Sequence, residues 1–159
     1  MTDTSTKYDA IFVGNYTKDT IITPEGTRYA DGGGMNYAAH AASALGLKAA
    51  VVTRLAKEDE HVVNGIRAHG IDCYPVFSPS STLMTLEYKT SDVDKRSLYV
   101  KETAGTIRAA DLAGLAARAI VVSPSLRGEV EADFFETQRK RQGVLLSADV
   151  QGFVRVLRG

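Results

Sequence analysis

The feature that most constrains this chain is a run of three glycines, Gly32, Gly33 and Gly34, placed directly before an alanine-rich segment at residues 35–45. Alanine favours helix, and Gly46 supplies the residue type that commonly ends one. The first backbone N–H groups of a helix lack partners within it, so glycines there let a ligand come close. A turn selected only for positive φ is the alternative. The run therefore predicts a loop that opens a helix and is a candidate binding element.

Short apolar runs alternate with helical segments along the chain. Strands are predicted at residues 8–13, 49–53, 72–77, 119–122 and 144–148, and helices at 35–45, 58–69, 109–117 and 130–141. This alternation favours a mostly parallel sheet with helices on both faces, that is, an α/β fold. Ligands of such sheets bind at the carboxyl ends of the strands. Functional side chains are therefore expected just after the apolar runs.

Two stretches depart from this alternation and predict extra β structure. Residues 15–30 mix Thr and Ile irregularly, as short strands on an exposed layer do, while residues 82–89 and 96–101 are alternating runs joined by the polar turn SDVDK. The second pair predicts a β-hairpin. Together the two stretches predict a small β appendage on the sheet.

Composition narrows the classes of partner. The 159 residues contain 19 basic and 19 acidic side chains, so no broad positive field exists to attract nucleic acid or an anionic membrane surface. Residues 1–9 are polar and no apolar run reaches the length of a membrane span. Cys73 stands alone and is expected to be packed in the core. We therefore predict one cytoplasmic domain that binds a small, neutral molecule.

Several nucleotide and metal motifs are absent from the sequence. A dinucleotide fingerprint needs a third glycine where Tyr37 stands, and no Gly-Lys-Ser/Thr of a P-loop occurs. His40, His61 and His69 are not spaced with other ligands as a metal site requires. We therefore predict no metal ligands in this sequence and expect the histidines to be solvated or lightly packed.

Asp19 follows the first strand by a few residues in GNYTKD. Its carboxylate is positioned to accept hydrogen bonds from ligand hydroxyls at the mouth of the sheet, as in polyol binding. An aspartate bonded to its own backbone in a turn is the alternative.

The order of these features resembles the ribokinase/PfkB family of carbohydrate and nucleoside kinases. In that family a first strand ending in glycine, here at Gly14, leads to a substrate aspartate, here Asp19, and a diglycine opens an Ala-rich helix that ends in Leu-Gly. The segment AAVVTRLAKED, with Asp59, and the segment DVQGFVR, with Asp149, are also similar. The resemblance covers essentially the whole chain. It implies a ribokinase-like sandwich with a β lid at about 15–30 and 82–101, and with residues 1–159 as its N-terminal portion.

The resemblance also implies a set of acceptor-binding residues. They are Asp19, Gly32, Gly33, Gly34, Asn36 and Tyr37, with Asp149 near the site. Tyr37 stands where many members have a substrate-contacting asparagine, and Asn36 comes one position earlier. An aromatic ring can stack on a sugar or base while its hydroxyl forms a hydrogen bond, so the choice of substrate stays open.

Family members are roughly twice this length, and their C-terminal half carries a Gly-Ala-Gly-Asp-type motif with the catalytic base. This sequence has no such motif. The resemblance therefore implies a parent kinase that phosphorylates a sugar, polyol or nucleoside with ATP and Mg²⁺ bound mainly by the other half. The isolated chain is expected to be inactive and to contain no catalytic residue.

Two alternatives remain open. The chain is either a non-catalytic ligand-binding module that forms a homodimer through lid residues such as Leu83, Leu86 and Leu98, or a piece of a longer, complete enzyme.

Overall fold

The structure is a computed structural model that describes residues 8–158. The strands are β1 (Tyr8–Val13), β2 (Thr17–Thr23), β3 (Gly26–Gly32), β4 (Ala49–Ala56), β5 (Asp72–Ser78), β6 (Thr82–Tyr88), β7 (Arg96–Glu102), β8 (Ala117–Val122) and β9 (Leu145–Ala148). The helices are α1 (Gly34–Ala44), α2 (Glu60–Ala68), α3 (Phe134–Gln138) and α4 (Gln151–Val154). Most of the polar segment at residues 1–9 lies outside the described residues.

The strands form two sheets. The main sheet has the order β5-β4-β1-β8-β9 and all its pairs are parallel. The second sheet, which we call the lid, has the order β3-β2-β6-β7. In the lid β2 pairs antiparallel with β3 and parallel with β6, and β6 pairs antiparallel with β7. The predicted α/β fold with a mostly parallel sheet and a second, smaller sheet is confirmed.

The main sheet is covered on both faces because its strands alternate apolar side chains between two cores. Phe12 on β1 and Val51 on β4 pack under α1 and α2, against Met35 and Ile66. Their neighbours along the strands point to the opposite face, where Phe134 of α3 is fully buried. Cys73 on β5 is buried in the first core, as predicted, and burial raises the pKa of its thiol to about 11.

The helix predicted at residues 109–117 is wrong. A single 3₁₀ turn at Ala109–Leu112 forms instead, and the Asp111 carboxylate accepts a hydrogen bond from the Arg108 N–H at 2.8 Å. Gly114 then takes φ of 75° and the chain enters β8 at Ala117. The alanine-rich composition indicated helix, but pairing of Ala117 with Tyr8 of β1 requires extended backbone there.

The helix predicted at residues 130–141 is largely wrong, because only α3 is helical. Val130 forms a parallel bridge with Ile107, which holds the start of the segment extended. Arg141, near the end of the segment, donates hydrogen bonds to the carbonyl oxygens of Leu115 and Leu112 at 2.8 and 3.1 Å. Tertiary pairing at both ends therefore limits the helix to about one turn.

We predict that the 159-residue chain self-associates through its edge strand β9. Leu145 on β9 is 68% exposed, and one side of this strand has no partner strand among the described residues. Exposed apolar edges template pairing with other chains. We expect light scattering after gel filtration to show oligomers, and Leu145→Lys to reduce them. Leu47→Lys, a change at an exposed position away from β9, is the control. A monodisperse 159-residue monomer that unfolds cooperatively would contradict this prediction.

Within residues 8–158, no helix has the length and apolar character needed to cross a bilayer.

Candidate functional site

A cavity of about 230 Å³ lies between the lid and the carboxyl end of the main sheet. It is lined by Thr17, Asp19, Gly33, Gly34, Tyr37, Met84, Leu86, Arg96, Leu98, Ser125, Asp149, Gln151 and Arg155. The sequence predicted five of these, from separate segments of the chain: Asp19, Gly33, Gly34, Tyr37 and Asp149. The structure therefore brings most of the candidate residues together at one place.

Asp19 lies on β2 with its side chain directed into the cavity. Its Oδ1 atom is buried and has no hydrogen-bond partner among the described residues. Burial raises the pKa of this carboxyl and repulsion from Asp31 adds to the rise, while a hydrogen bond with Thr17 opposes it. A buried acceptor without a partner is energetically costly. Asp19 is therefore prepared to accept a hydrogen bond from a ligand in the cavity.

The three glycines shape the wall beside Asp19. Gly33 precedes α1 with φ of 102°, a left-handed conformation that side chains rarely adopt. A Cβ on Gly33 would also lie 2.7 Å from the carbonyl oxygen of Asn15. Gly34 begins α1, whose first two N–H groups have no intrahelical acceptor, whereas the Asn36 N–H donates to the Gly33 carbonyl oxygen at 3.0 Å. The glycines therefore bring backbone donors close to the same cavity that Asp19 faces.

Gly32 does not line the cavity, but it limits the position of Asp19. A Cβ on Gly32 would collide with the side chains of Asp19 and Thr17, although the backbone there has no positive φ. We expect Gly32→Ala to fold normally and to displace the Asp19 carboxylate, so that the affinity for a ligand bound at Asp19 falls about 10-fold with little change in unfolding temperature. Paired calorimetric titration and thermal unfolding measure the two quantities. Unchanged affinity would contradict the packing role assigned to Gly32.

Asn36 and Tyr37 have different positions. The Asn36 amide donates to the carbonyl oxygen of Asp31 at 3.3 Å, and Asn36 does not line the cavity. Tyr37 lines it and is 62% exposed. Of the two open candidates, Tyr37 is therefore the one that a ligand in the cavity would meet.

Asp149 follows β9 and faces the cavity from the side of the main sheet. Its Oδ1 accepts a hydrogen bond from the Gln151 N–H at 2.8 Å, which fixes the carboxylate at the start of α4. Asp149 and Asp19 therefore line the cavity from different sheets.

An ion pair between the half-exposed Lys18 side chain and the buried Asp59 joins the lid to the main sheet. The Lys18 ammonium of β2 donates to Asp59 Oδ1 at 2.8 Å, and the Ser81 hydroxyl donates to Asp59 Oδ2 at 2.6 Å. Asp59 is 2% exposed, and burial alone would raise its pKa, but the hydrogen bonds from Lys18 and Ser81 lower it. Lys18 and Asp19 are adjacent on a strand, so their side chains point to opposite faces. The ion pair therefore anchors the strand that presents Asp19.

Glu129 is a buried acid, and we expect it to make the free energy of unfolding depend on pH. Its Oε2 accepts a hydrogen bond from the Ser125 N–H at 2.7 Å, and burial raises its pKa to about 7. The folded protein therefore keeps this proton at pH values where the unfolded chain has lost it. Stability should fall as pH rises from about 4.5 to 7, by on the order of 1 kcal/mol per pH unit from this group.

Urea unfolding of wild type and Glu129→Gln between pH 4.5 and 8 measures this effect. The variant should lose the downward slope, whereas Glu131→Gln, a change at a nearby, less buried acid, should keep it. An unchanged slope in Glu129→Gln would contradict the assignment.

The sequence did not predict Arg96, Arg155 or Ser125 as site residues. Arg96 begins β7, and Arg155 and Ser125 lie on segments next to α4 and β8. They meet the predicted residues only because the lid folds over the ends of β8 and β9, a long-range arrangement that no local pattern encodes. A larger cavity, of about 550 Å³ beside Phe135 and Phe153, contains none of the candidate residues.

No family model matches this sequence, and no curated protein matches it either. Solved structures do match. A pyrophosphate-dependent kinase in the ribokinase family, determined as a sulfate complex, has a TM-score of 0.85 and 32% identity over 94% of this chain and 52% of that chain. A pyrophosphate-dependent kinase in the ribokinase family complexed with a pyrophosphate analog and myo-inositol has a TM-score of 0.84 and 30% identity over 94% of this chain and 52% of that chain.

A fructokinase from Vibrio cholerae O395 has the same fold at lower identity. Its TM-score is 0.71 and its identity 17%, over 95% of this chain and 52% of that chain. The present chain therefore spans about half the length of the solved proteins that it matches. The described residues therefore have the ribokinase-like fold, and the solved structures that they resemble at 30–32% identity are kinases of the ribokinase family.

Proposed function

We propose that the protein transfers a phosphoryl group to a hydroxyl of a sugar, polyol or nucleoside, and that this chain supplies the acceptor-binding half of the site. The observation that carries the proposal is Asp19 Oδ1, a buried acceptor without a partner among the described residues, on a side chain that faces a cavity bordered by Gly33 and Gly34. A hydroxyl is the natural donor to such an oxygen.

The residues of the cavity have complementary roles in this proposal. The ionised Asp19 carboxylate accepts hydrogen bonds from the acceptor and fixes its orientation. The N–H groups at the start of α1 bind acceptor oxygens, and Tyr37 contacts one face of the ring. Orientation of this kind makes a large contribution to the rate of a two-substrate reaction. The catalytic base is assigned to no residue of this chain.

Within the acceptor class we favour a cyclic polyol. One of the similar kinases, at 30% identity, is complexed with myo-inositol. The cavity offers the carboxylates of Asp19 and Asp149 and backbone donors at the start of α1. A small ring bearing several hydroxyls matches those groups.

The donor is proposed to be pyrophosphate or ATP. The family resemblance implied ATP, and the Vibrio cholerae fructokinase holds ADP, whereas the two kinases at 30–32% identity are pyrophosphate-dependent. Among residues 8–158 no three His, Cys, Asp or Glu side chains are grouped to hold a metal ion. No step is assigned to Mg²⁺.

The proposal is tested with the protein encoded by the whole reading frame. Phosphorus NMR follows phosphoryl transfer from pyrophosphate and from ATP to a panel containing myo-inositol, other polyols, fructose, ribose and nucleosides. At least one pair should give a phosphate ester, and Asp19→Ala should lose acceptor binding. No ester with any pair, together with unchanged acceptor binding in Asp19→Ala, would overturn the proposal.

A second candidate function is a non-catalytic dimer formed through the lid. Tyr29 and Tyr99 of the lid are 80% and 54% exposed, a surface suited to association. The predicted pairing residues Leu86 and Leu98 lie on the opposite, cavity-facing side of the lid, so a dimer formed through Tyr29 and Tyr99 does not involve them. Light scattering of wild type and of Tyr29→Ser/Tyr99→Ser tests this. A dimer that the double change dissociates supports it, and a strict monomer contradicts it.

A further inference from the structure

Two histidine side chains meet where α1 lies beside the end of α2, outside the acceptor cavity. His40 lies within α1 and is half-buried, whereas His69 directly follows α2 and is exposed. The centres of the two rings are 4.8 Å apart, and the ring planes meet at 68°. The two residues come from different helical segments, so their spacing along the chain gave no sign of the pair. Folding therefore creates a histidine cluster that the sequence does not reveal.

Both rings have the same hydrogen-bonding arrangement. His40 Nδ1 lies 2.8 Å from the carbonyl oxygen of Asn36, and His69 Nδ1 lies 2.9 Å from the carbonyl oxygen of Gly65. A carbonyl oxygen can only accept, so Nδ1 of each neutral ring carries the proton and donates it. The other ring nitrogen, Nε2, then has a lone pair. Each histidine therefore has its Nδ1 occupied by its own helix and its Nε2 available to a ligand.

This arrangement is typical of histidines that bind a metal ion. Ligating histidines donate their second ring N–H to a backbone carbonyl or a carboxylate, which fixes the tautomer and the orientation of the ring. Zn–N bonds are about 2.0–2.1 Å long, so the centres of two imidazole rings on one tetrahedral ion lie about 5 Å apart. The separation of 4.8 Å between His40 and His69 is close to that value. The angle of 68° also excludes a face-to-face stack of the two rings.

The backbone that carries the two rings is held in place. The Ser43 hydroxyl of α1 donates to the His69 carbonyl oxygen at 3.0 Å, which ties α1 to the end of α2. The His69 N–H donates to the Ile66 carbonyl oxygen at 3.2 Å. Ala39 and Ile66 are buried in the core between these helices and the main sheet. An ion that binds here therefore meets ligands whose backbone positions are already fixed, which lowers the entropic cost of binding.

We infer that His40 and His69 form a binding site for one divalent transition-metal ion, which their Nε2 atoms would coordinate. Zn²⁺ and Cu²⁺ are suited to imidazole ligands. Among the described residues no third His, Cys, Asp or Glu joins the pair, so water would complete the coordination. The ion would link α2 to α1, the helix whose first residue borders the acceptor cavity. The site does not depend on the proposed function.

Calorimetric titration of the whole encoded protein, prepared without a histidine tag, with ZnCl₂ and with CuCl₂ tests the inference. The wild type should bind an ion whose affinity His40→Ala and His69→Ala each lower about 10-fold or more. His61→Ala is the matched control, because His61 is an exposed histidine of α2 outside the pair. Zn²⁺ should raise the unfolding temperature of the wild type and of His61→Ala more than that of either pair variant. The same thermal scans without metal verify folding.

Electron paramagnetic resonance of the Cu²⁺ complex reports directly on the ligand atoms. The wild type should show hyperfine coupling to two imidazole nitrogens, and His40→Ala and His69→Ala should each lose it, whereas His61→Ala should keep it. Absence of Zn²⁺ and Cu²⁺ binding by the wild type would overturn the site. Affinities within twofold of wild type in both pair variants, or an equal loss in His61→Ala, would overturn it as well.

Discussion

Asp19→Asn is expected to weaken acceptor binding about 100-fold in the protein encoded by the whole reading frame. The amide has nearly the shape of the carboxylate but carries no charge, and hydrogen bonds to a charged group contribute up to about 3 kcal/mol each. That loss corresponds to about two powers of ten in affinity. Asp19 Oδ1 has no hydrogen-bond partner among the described residues, so no other group of the protein competes with the acceptor for this oxygen.

The pH dependence of binding provides a second readout of Asp19. Burial raises the pKa of its carboxyl, so the residue is protonated at a higher pH than an exposed aspartate. Acceptor affinity of the wild type should therefore fall as pH is lowered through this raised pKa, and Asp19→Asn should remove that dependence. Calorimetric titration at several pH values measures both effects.

Asp94→Asn is the matched control for Asp19→Asn, because Asp94 lies on the exposed turn of the lid hairpin. It should bind the acceptor as the wild type does. Equal affinity in Asp19→Asn and Asp94→Asn would remove Asp19 from the acceptor site.

Gly33→Ala is expected to lower both stability and acceptor binding. Its backbone has φ of 102°, which costs an alanine about 1–3 kcal/mol, and the added Cβ would meet the carbonyl oxygen of Asn15 at 2.7 Å. Relief of this contact requires movement of the backbone at the start of α1, where the N–H donors lie. We expect the free energy of unfolding in urea to fall by about 3 kcal/mol.

Gly65→Ala is the control for the glycine substitution. Gly65 lies within α2 and has no positive φ, and a Cβ added there would meet no neighbouring atom within 4 Å. Alanine should therefore stabilise the helix by up to about 1 kcal/mol. Gly33→Ala should therefore lower the free energy of unfolding, whereas Gly65→Ala should raise it. A Gly33→Ala protein as stable as the wild type would show that the turn does not require glycine.

Local patterns predicted the parts of the fold that depend on short-range chemistry. The boundaries of α1 and α2 lie within two residues of those predicted, because alanine composition in one and an apolar stripe in the other coincide with glycine stops. The lid hairpin was predicted for the same reason, since its two alternating runs flank a polar turn.

Long-range pairing accounts for the parts of the fold that the sequence did not predict. The parallel pairing of β2 with β6 joins segments about 65 residues apart, and no local pattern specifies its register. The helices expected at residues 109–117 and 130–141 failed because the Tyr8–Ala117 pair and the Ile107–Val130 bridge hold parts of these segments extended.

The candidate site was predictable where its residues follow strands or open a helix, as Asp19, Gly33 and Asp149 do. Arg96 and Arg155 could not be predicted as site residues, because an arginine at the start of a lid strand or after a short helix has no distinguishing spacing in the sequence. Their position on the cavity is a property of the folded chain.

The central claim is that Asp19 and the glycine turn bind the hydroxyl acceptor. A crystal structure of the whole encoded protein with the acceptor that it phosphorylates tests this most directly. We predict an acceptor hydroxyl within hydrogen-bond distance of Asp19 Oδ1, with the ring beside Gly33, Gly34 and Tyr37. An acceptor bound elsewhere, with Asp19 Oδ1 still without a partner, would contradict it.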